Sequence, residues 1–295
     1  MIGWKMLYLK SFAFPDDDAE IEYLWPIQSN AYESFYPFKV LSARRFHKIE
    51  FEPVTVLYGG NGSGKSTALN VIAEKTKIRR DSIYNKTNFY PDYIKMCSMP
   101  VITDIPENSR IITSDDVFDY MLDMRSLNEG IDNKREGLFD EYSGMKKFLK
   151  DNGFQMKSLE DHEQLKKFNR IKKTTQSKFV RSELIGNVRE YSNGESAYRY
   201  FTEKIGENGL YVLDEPENSL SPKRQIELAG FIEDSARFYE CQFIISTHSP
   251  FFLAMKGAKI YDLDANPVAT KRWTELENMR IYHEFFKLHE NKFMF

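Results

Sequence analysis

The chain has little of what would place it outside a reducing compartment or in a membrane. Only two of its 295 residues are cysteine, Cys97 and Cys241, far apart and without partner spacing. They read as reduced, buried thiols of a cytoplasmic protein, and a disulfide framework is excluded. No window of about 18 apolar residues occurs, so no membrane span is expected. The opening MIGWKMLYLKSFAFPDDD is too short of apolar residues for a signal peptide and soon turns acidic. The histidines at 47, 162, 248, 283 and 289 make no metal-ligand spacing with the cysteines. Charge of one sign is also missing: 41 Lys and Arg face 44 Asp and Glu, for a net charge of −3. No global field draws the chain to nucleic acid, so any such contact would be local. Internal repeats and low-complexity tracts are absent.

What is present fits an α/β protein. A 41% apolar content over this length fills the core of one large domain, with or without an insertion. Strand-like segments at about 5–14, 46–51, 54–58, 109–113, 210–213, 242–246 and 259–263 alternate with helical ones at about 66–75, 221–238 and 279–289. That alternation predicts a core sheet that is largely parallel. Residues 19–38 read as an irregular aromatic loop and 78–100 as a stretch without period. Residues 114–190 are charged and helical, broken at Gly130, Gly137, Gly144 and Gly153. They predict a compact helical insertion within a single 1–295 domain.

The densest chemistry lies in residues 54–71, VTVLYGGNGSGKSTALNV. A β-branched strand meets a glycine-rich turn, and a helix opens at Lys65-Ser66-Thr67. The turn fits G-x-x-x-x-G-K-[ST]. Its glycines let backbone N–H groups wrap phosphate oxygens, and the helix points its positive end at the same anion. Gly60, Asn61, Gly62, Ser63, Gly64, Lys65, Ser66 and Thr67 are the expected nucleotide-binding residues. Lys65 reaches the β- and γ-phosphates, and the Ser66 hydroxyl is a Mg²⁺ ligand. The expected cofactors are ATP and Mg²⁺.

A second apolar strand at 210–213 delivers Asp214 and Glu215 at its C-terminal end, where α/β sheets place ligands. Asp214 is expected on the metal, and Glu215 is expected to orient or deprotonate water. His248 ends the strand after that and is expected to face the γ-phosphate. Glu217 is either another acid of the site or a surface residue, with the surface reading favoured.

In order, GGNGSGKST, YSNGES, LYVLDEPENSLSP and FIISTHSP resemble the motifs of ABC-type P-loop ATPases. Ser192 precedes Asp214 by 22 residues and His248 follows it by 34. The resemblance implies an ABC-type ATPase head with a mixed or parallel sheet. It implies that Ser192, Asn193 and Gly194 form the signature turn that meets the γ-phosphate of a partner subunit. Asp214 and Glu215 look like the Walker B pair, residues 219–221 like the D-loop, and His248 like the switch histidine. The implied catalytic residues are Glu215, His248 and Lys65. One copy of each motif implies an ATP-dependent homodimer that works as a switch.

There are departures from the family pattern. Asn193 stands for a usual glycine, and Ser221 for the D-loop aspartate. No Mg²⁺-reading glutamine is visible where Ser114 or Asp115 stands. Tyr36, Phe38 and Phe46 are candidates to stack on adenine, although loop aromatics commonly pack into cores. The Glu195 ending, the DEPEN run and the THSP ending resemble soluble SMC, RecF and OLD-type ATPases of repair, chromosome maintenance or phage defence. The 126 residues from Ser66 to Ser192 are too few for a long coiled-coil arm. A transporter energy-coupling subunit and an ATP-sensing module with little turnover are the alternatives. A protein effector is a possible partner. Lys166, Lys167, Arg170, Lys172, Lys173, Lys178 and Arg181 lie in an acid-free run, which fits either a phosphate-backbone contact or a solvated helix face.

Overall fold

The computed structural model describes residues 7–27, 31–100, 104–151, 171, 173–184 and 193–293, without the side chains of Leu149 and Asp151. It divides into two compact units, 1–118 with 193–295, and 119–192.

The first unit begins with β1 (Ser11–Ala13), α1 (Asp17–Leu24), β2 (Lys48–Glu50), β3 (Val54–Tyr58), α2 (Lys65–Thr76), α3 (Tyr90–Met96) and β4 (Arg110–Thr113). The helix α4 (Ser114–Asp151) runs on from it into the second unit, which also holds α5 (Gln176–Glu183). The first unit resumes with α6 (Asn193–Lys204), β5 (Leu210–Asp214), α7 (Pro222–Phe238) and β6 (Gln242–Ser246). It continues with α8 (Pro250–Leu253), β7 (Lys259–Asp262), β8 (Ala269–Lys271) and α9 (Glu277–Leu288).

The main sheet has the order β4-β5-β6-β3-β7-β8. Its first five strands are parallel, and β8 returns antiparallel at the edge, so the sheet is mixed. Burial explains the apolar strand sequences. Leu210, Tyr211, Val212 and Leu213 are all 0% exposed in β5, and Phe243, Ile244 and Ile245 likewise in β6. Each such side chain contributes roughly 1.5–3 kcal/mol. The register sets Asp214 beside Ser246 and Thr113 beside Asp214. The C-terminal ends of β4, β5, β6 and β3 therefore lie side by side. β1 and β2 form a separate antiparallel pair, whose Phe12 and Ile49 are buried in the same core as Leu69 and Ile72 of α2.

Several elements differ from the sequence-based expectation. The first strand is only Ser11–Ala13, and residues 19–38 are not all loop. Asp16 caps α1 by accepting from the Ala19 amide at 2.9 Å, and Asp17, Asp18 and Glu20 fill its first turn. The acidic run that ends the strand is the N-terminal signal of a helix. Residues 78–100 contain α3, with a proline in its first turn, and a bridge that pairs Arg79 with Arg110. β8 leaves no trace in the sequence because three residues carry no period.

α4 is continuous for 38 residues, through Gly130, Gly137 and Gly144, so the expected breaks there do not exist. A helical glycine costs only about 1 kcal/mol against alanine, which a long helix absorbs. Its start is a reciprocal cap. The Thr113 amide donates to Asp116 Oδ2 at 2.7 Å, and the Asp116 amide to Thr113 Oγ1 at 3.3 Å. In the second unit Tyr142, Ile171, Phe179 and Val180 form a small core, and the Tyr142 hydroxyl donates to Thr174 O at 2.9 Å. Cys97 and Cys241 are free and buried, and burial pushes their thiols up to about 12 and about 11.

Candidate nucleotide site

The turn between β3 and α2 owes its shape to glycine. Gly64 caps α2 at φ +97°, a conformation L side chains rarely adopt. A Cβ on Gly59 would stand 2.6 Å from Ser63 Oγ. The amide of Gly60 donates to Asp264 Oδ2 at 2.7 Å, so the residue two places beyond β7 holds the entry of the loop. Nothing in the sequence singles out Asp264, one acid among 44.

Lys65 is 5% exposed. Its Nζ donates to Gly59 O at 2.7 Å and Gly60 O at 3.3 Å, and stands 3.6 Å from Glu215 Oε1. It also lies 2.8 Å from His248 Nε2. An ammonium has only protons to give, so Nε2 accepts and the ring proton is on Nδ1. Burial, followed by the charge of Lys65, holds the His248 pKa below its ordinary value. The ring is neutral in this arrangement.

Asp214 Oδ1 accepts from Ser66 Oγ at 3.2 Å and from Ser246 Oγ. Burial raises its pKa against the lowering effect of these two hydroxyls. A desolvated carboxylate beside a serine oxygen is a site that wants a cation. Asp214 and Ser66 therefore fit a hard divalent ion such as Mg²⁺. Among the described residues no group of three or more His, Cys, Asp or Glu gathers as a metal cluster.

Glu215 stands at φ 48° and ψ 57°, left-handed for a non-glycine residue. Its amide donates to Ser246 O and to Ser246 Oγ, each at 3.1 Å. Its Oε2 accepts from Asn218 Nδ2 at 3.0 Å. Its Oε1 is 3.6 Å from His248 Nε2. Glu217 is not a surface residue as expected. Its Oε1 accepts from the His248 amide at 2.6 Å, and its Oε2 is buried. Burial raises its pKa, against the lowering effect of that amide. The misreading is a spacing effect: three acids in four residues look like a solvated turn until the next strand is laid beside them.

The structure thus groups Lys65 with Glu215 and His248, and Ser66 with Asp214, the two groups being linked through Ser246. Asn193 and Gly194 open α6 elsewhere. A Cβ on Gly194 would stand 3.6 Å from Ser221 N and 3.7 Å from Ser219 O. Glu195 pairs with Arg224 at 3.6 Å. Ser192, Lys166, Lys167, Arg170 and Lys172 lie outside the described residues, while Lys173, Lys178 and Arg181 are exposed. Of the three aromatic candidates, Phe38 and Phe46 are core residues at 3% and 2% exposure. Tyr36 touches the phosphate loop, its hydroxyl donating to Thr67 Oγ1 at 3.2 Å. In the place expected for a Mg²⁺-reading glutamine, Ser114 starts α4 directly after Thr113, the register partner of Asp214.

A family model described as "ABC transporter" matches residues 47–218. A second, described as "AAA domain, putative AbiEii toxin, Type IV TA system", matches residues 186–254. Among solved structures, the Smc head domain with an extended coiled coil from Pyrococcus furiosus, bound to the C-terminal domain of ScpA, is 12% identical. It covers 81% of this chain and 94% of its own, at a TM-score of 0.38. The SMC head domain from Thermotoga maritima is 14% identical, with coverage of 90% and 99% and a TM-score of 0.38. An ATP-binding cassette in a dimeric post-hydrolysis state bound to ADP and Pi is 13% identical, with coverage of 78% and 90% and a TM-score of 0.36. No curated protein matches. Among the described residues no helix is long and apolar enough to cross a membrane.

Proposed function

Since the chain belongs to the ABC transporter family of ATP-binding P-loop proteins, whose model spans residues 47–218 of its 295, we propose that it hydrolyses ATP as an ATP-dependent homodimer. The observation that carries this reading is the neighbouring pair of groups at the strand ends: Ser66 bonded to Asp214 at 3.2 Å, and Lys65 at 2.8 Å from His248 with Glu215 3.6 Å from both. A phosphate-binding cation, a carboxylate and a neutral imidazole meet beside a metal-binding pair, with Ser246 Oγ bonded both to Asp214 and to the Glu215 amide.

Lys65 Nζ donates to Gly59 O and Gly60 O and meets His248 Nε2. A bound triphosphate would offer Lys65 its β- and γ-phosphates as partners. Ser66 and Asp214 are the residues that would hold Mg²⁺, which would supply charge neutralisation on the phosphates. Glu215 orients the attacking water and takes its proton. His248 is able to donate from Nε2 to the γ-phosphate if it takes up that proton or changes tautomer. Residues 192–194 of a second copy complete the site from the other side. The whole chain acts as one ATPase domain, with 114–190 as its helical insertion.

The process driven is repair, chromosome maintenance or phage defence. The match of residues 186–254 to a domain named for a toxin–antitoxin system supports the last of these. The description of the longer match favours a second reading, an energy-coupling transporter subunit. Capture of partners by the Glu215→Gln protein in its own cell separates the two: an integral membrane protein supports the second, a nuclease or toxin the first.

Glu215→Gln keeps shape and hydrogen bonding but cannot take a proton. It should lower ATP turnover by roughly 100-fold or more and hold an ATP-bound dimer on a sizing column. Turnover at the wild-type rate would remove Glu215 as the base.

A further inference from the structure

We propose that Glu217 is a positioning residue for His248, tying the turn after β5 to the loop after β6 so that Glu215 and the His248 ring keep one fixed relation. The proposal rests on the ATPase reading insofar as it gives that relation a catalytic use.

Glu217 Oε1 takes the His248 backbone amide at 2.6 Å. Further bonds between the two segments lie on either side of it. The Glu215 amide reaches Ser246 O and Ser246 Oγ at 3.1 Å. Ser249 Oγ donates to Gln225 Oε1 at 2.7 Å, and Gln225 Nε2 donates back to Leu220 O at 2.9 Å. Ser246, His248 and Ser249 are thus all held by the segment that follows β5. The Thr247 amide in turn donates to Leu57 O at 3.2 Å, which fixes the same loop to the strand that feeds the phosphate loop.

The Glu217 carboxylate accepts from the backbone that carries the His248 ring, and the Thr247 side chain and its own amide bond it as well. A carboxylate is costly to bury, and Oε2 is buried. The side chain is turned inward nonetheless, onto an amide beside a ring whose Nε2 meets Lys65 at 2.8 Å and stands 3.6 Å from Glu215. Asn218, the next residue, does the same for Glu215 through its 3.0 Å bond to Oε2. Adjacent side chains of one short turn therefore aim the two groups that act on water and phosphate.

The test compares Glu217→Ala, Glu217→Asp and Glu217→Gln by steady-state ATP hydrolysis and by exchange of the His248 backbone amide. Ala removes the acceptor and Asp withdraws it by one methylene. Each should lower kcat roughly 10- to 100-fold, as ångström-scale misplacement does, and leave KM for ATP nearly unchanged. Each should also speed exchange at His248. Gln keeps an oxygen at the same reach, so it should restore most of kcat and the slow exchange. Wild-type kcat in the Ala or Asp protein overturns the proposal, as does a Gln protein as impaired as Ala. If Ala does not fold, Asp and Gln carry the comparison. A wild-type protein with no turnover sinks the ATPase reading alone. Exchange then decides the tether: unchanged rates in Ala or Asp reject it, and faster rates restored by Gln uphold it.

Discussion

Replacing Asp214 with asparagine should make the ligand-free protein more stable and leave it unable to gain stability from Mg²⁺. Asp214 is a carboxylate whose pKa is raised by burial, and the hydroxyls of Ser66 and Ser246 only partly offset that burial. A raised folded-state pKa means that the folded protein binds the proton more tightly than the unfolded chain. The penalty on the charged form therefore grows as pH rises from the unfolded value of about 3.9 toward the raised value, and is fully present above it. Asparagine keeps an oxygen acceptor for both hydroxyls and carries no charge. Relieving a destabilised functional group of this kind is worth roughly 0.5–2 kcal/mol. At about 2 °C per kcal/mol for a chain of this size, Tm should rise by about 1–4 °C near neutral pH. The gain should shrink as pH falls toward about 4 and vanish only well below it, where the carboxyl is protonated in both states. Glu217, also raised, is present in both proteins and cancels in the difference. Saturation at about 100 times Kd should stabilise the wild type by about 2.7 kcal/mol, or about 5 °C. The part of that shift that EDTA removes should be missing in Asp214→Asn. The assay is thermal unfolding from pH 4.5 to 8, with and without ATP, Mg²⁺ and EDTA. An equal or lower Tm for Asp214→Asn across that range would refute the buried-charge argument, and an intact Mg²⁺ shift would refute the metal assignment.

Two further outcomes bear on partners. Ser192→Arg should leave ATP binding to the monomer intact while preventing ATP-dependent dimerisation, read by light scattering on a sizing column; a persistent dimer would count against a composite site. A phosphate-backbone contact by the basic run requires that reversing Lys172 and Lys173 to Glu lower DNA affinity and reduce the slope of log K against log salt by about 0.9 for each phosphate no longer neutralised, whereas a solvated helix face requires no change. An unchanged slope removes that segment from any nucleic-acid surface.

The central sheet and the phosphate loop are legible in the sequence because each depends on short-range rules. Four apolar residues in a row, as in Leu210 to Leu213, make a strand buried on both faces, and Gly-Lys-Ser after such a strand makes a phosphate turn. Asp214 and Glu215 are legible for the same reason, being fixed to the end of a strand. Legibility falls where a residue's partner is remote in sequence. Glu217 meets a backbone amide 31 residues away, and Asp264 an amide 204 residues away. Nothing in the composition of either neighbourhood announces those contacts. Glycines mislead in the opposite direction. Gly59 and Gly64 are required by their geometry, while a Cβ at Gly130, Gly137 or Gly144 would meet nothing within 4 Å.

By itself the sequence determined that this chain carries a phosphate loop, an acidic pair on a buried strand and a histidine on another, because strand polarity and turn chemistry are local properties of the backbone. Only the tertiary structure decided that the β5 and β6 ends lie adjacent, that Lys65 rests on His248, and that Glu217 reaches inward. Those facts depend on strand order and register, which are set by packing across the whole sheet.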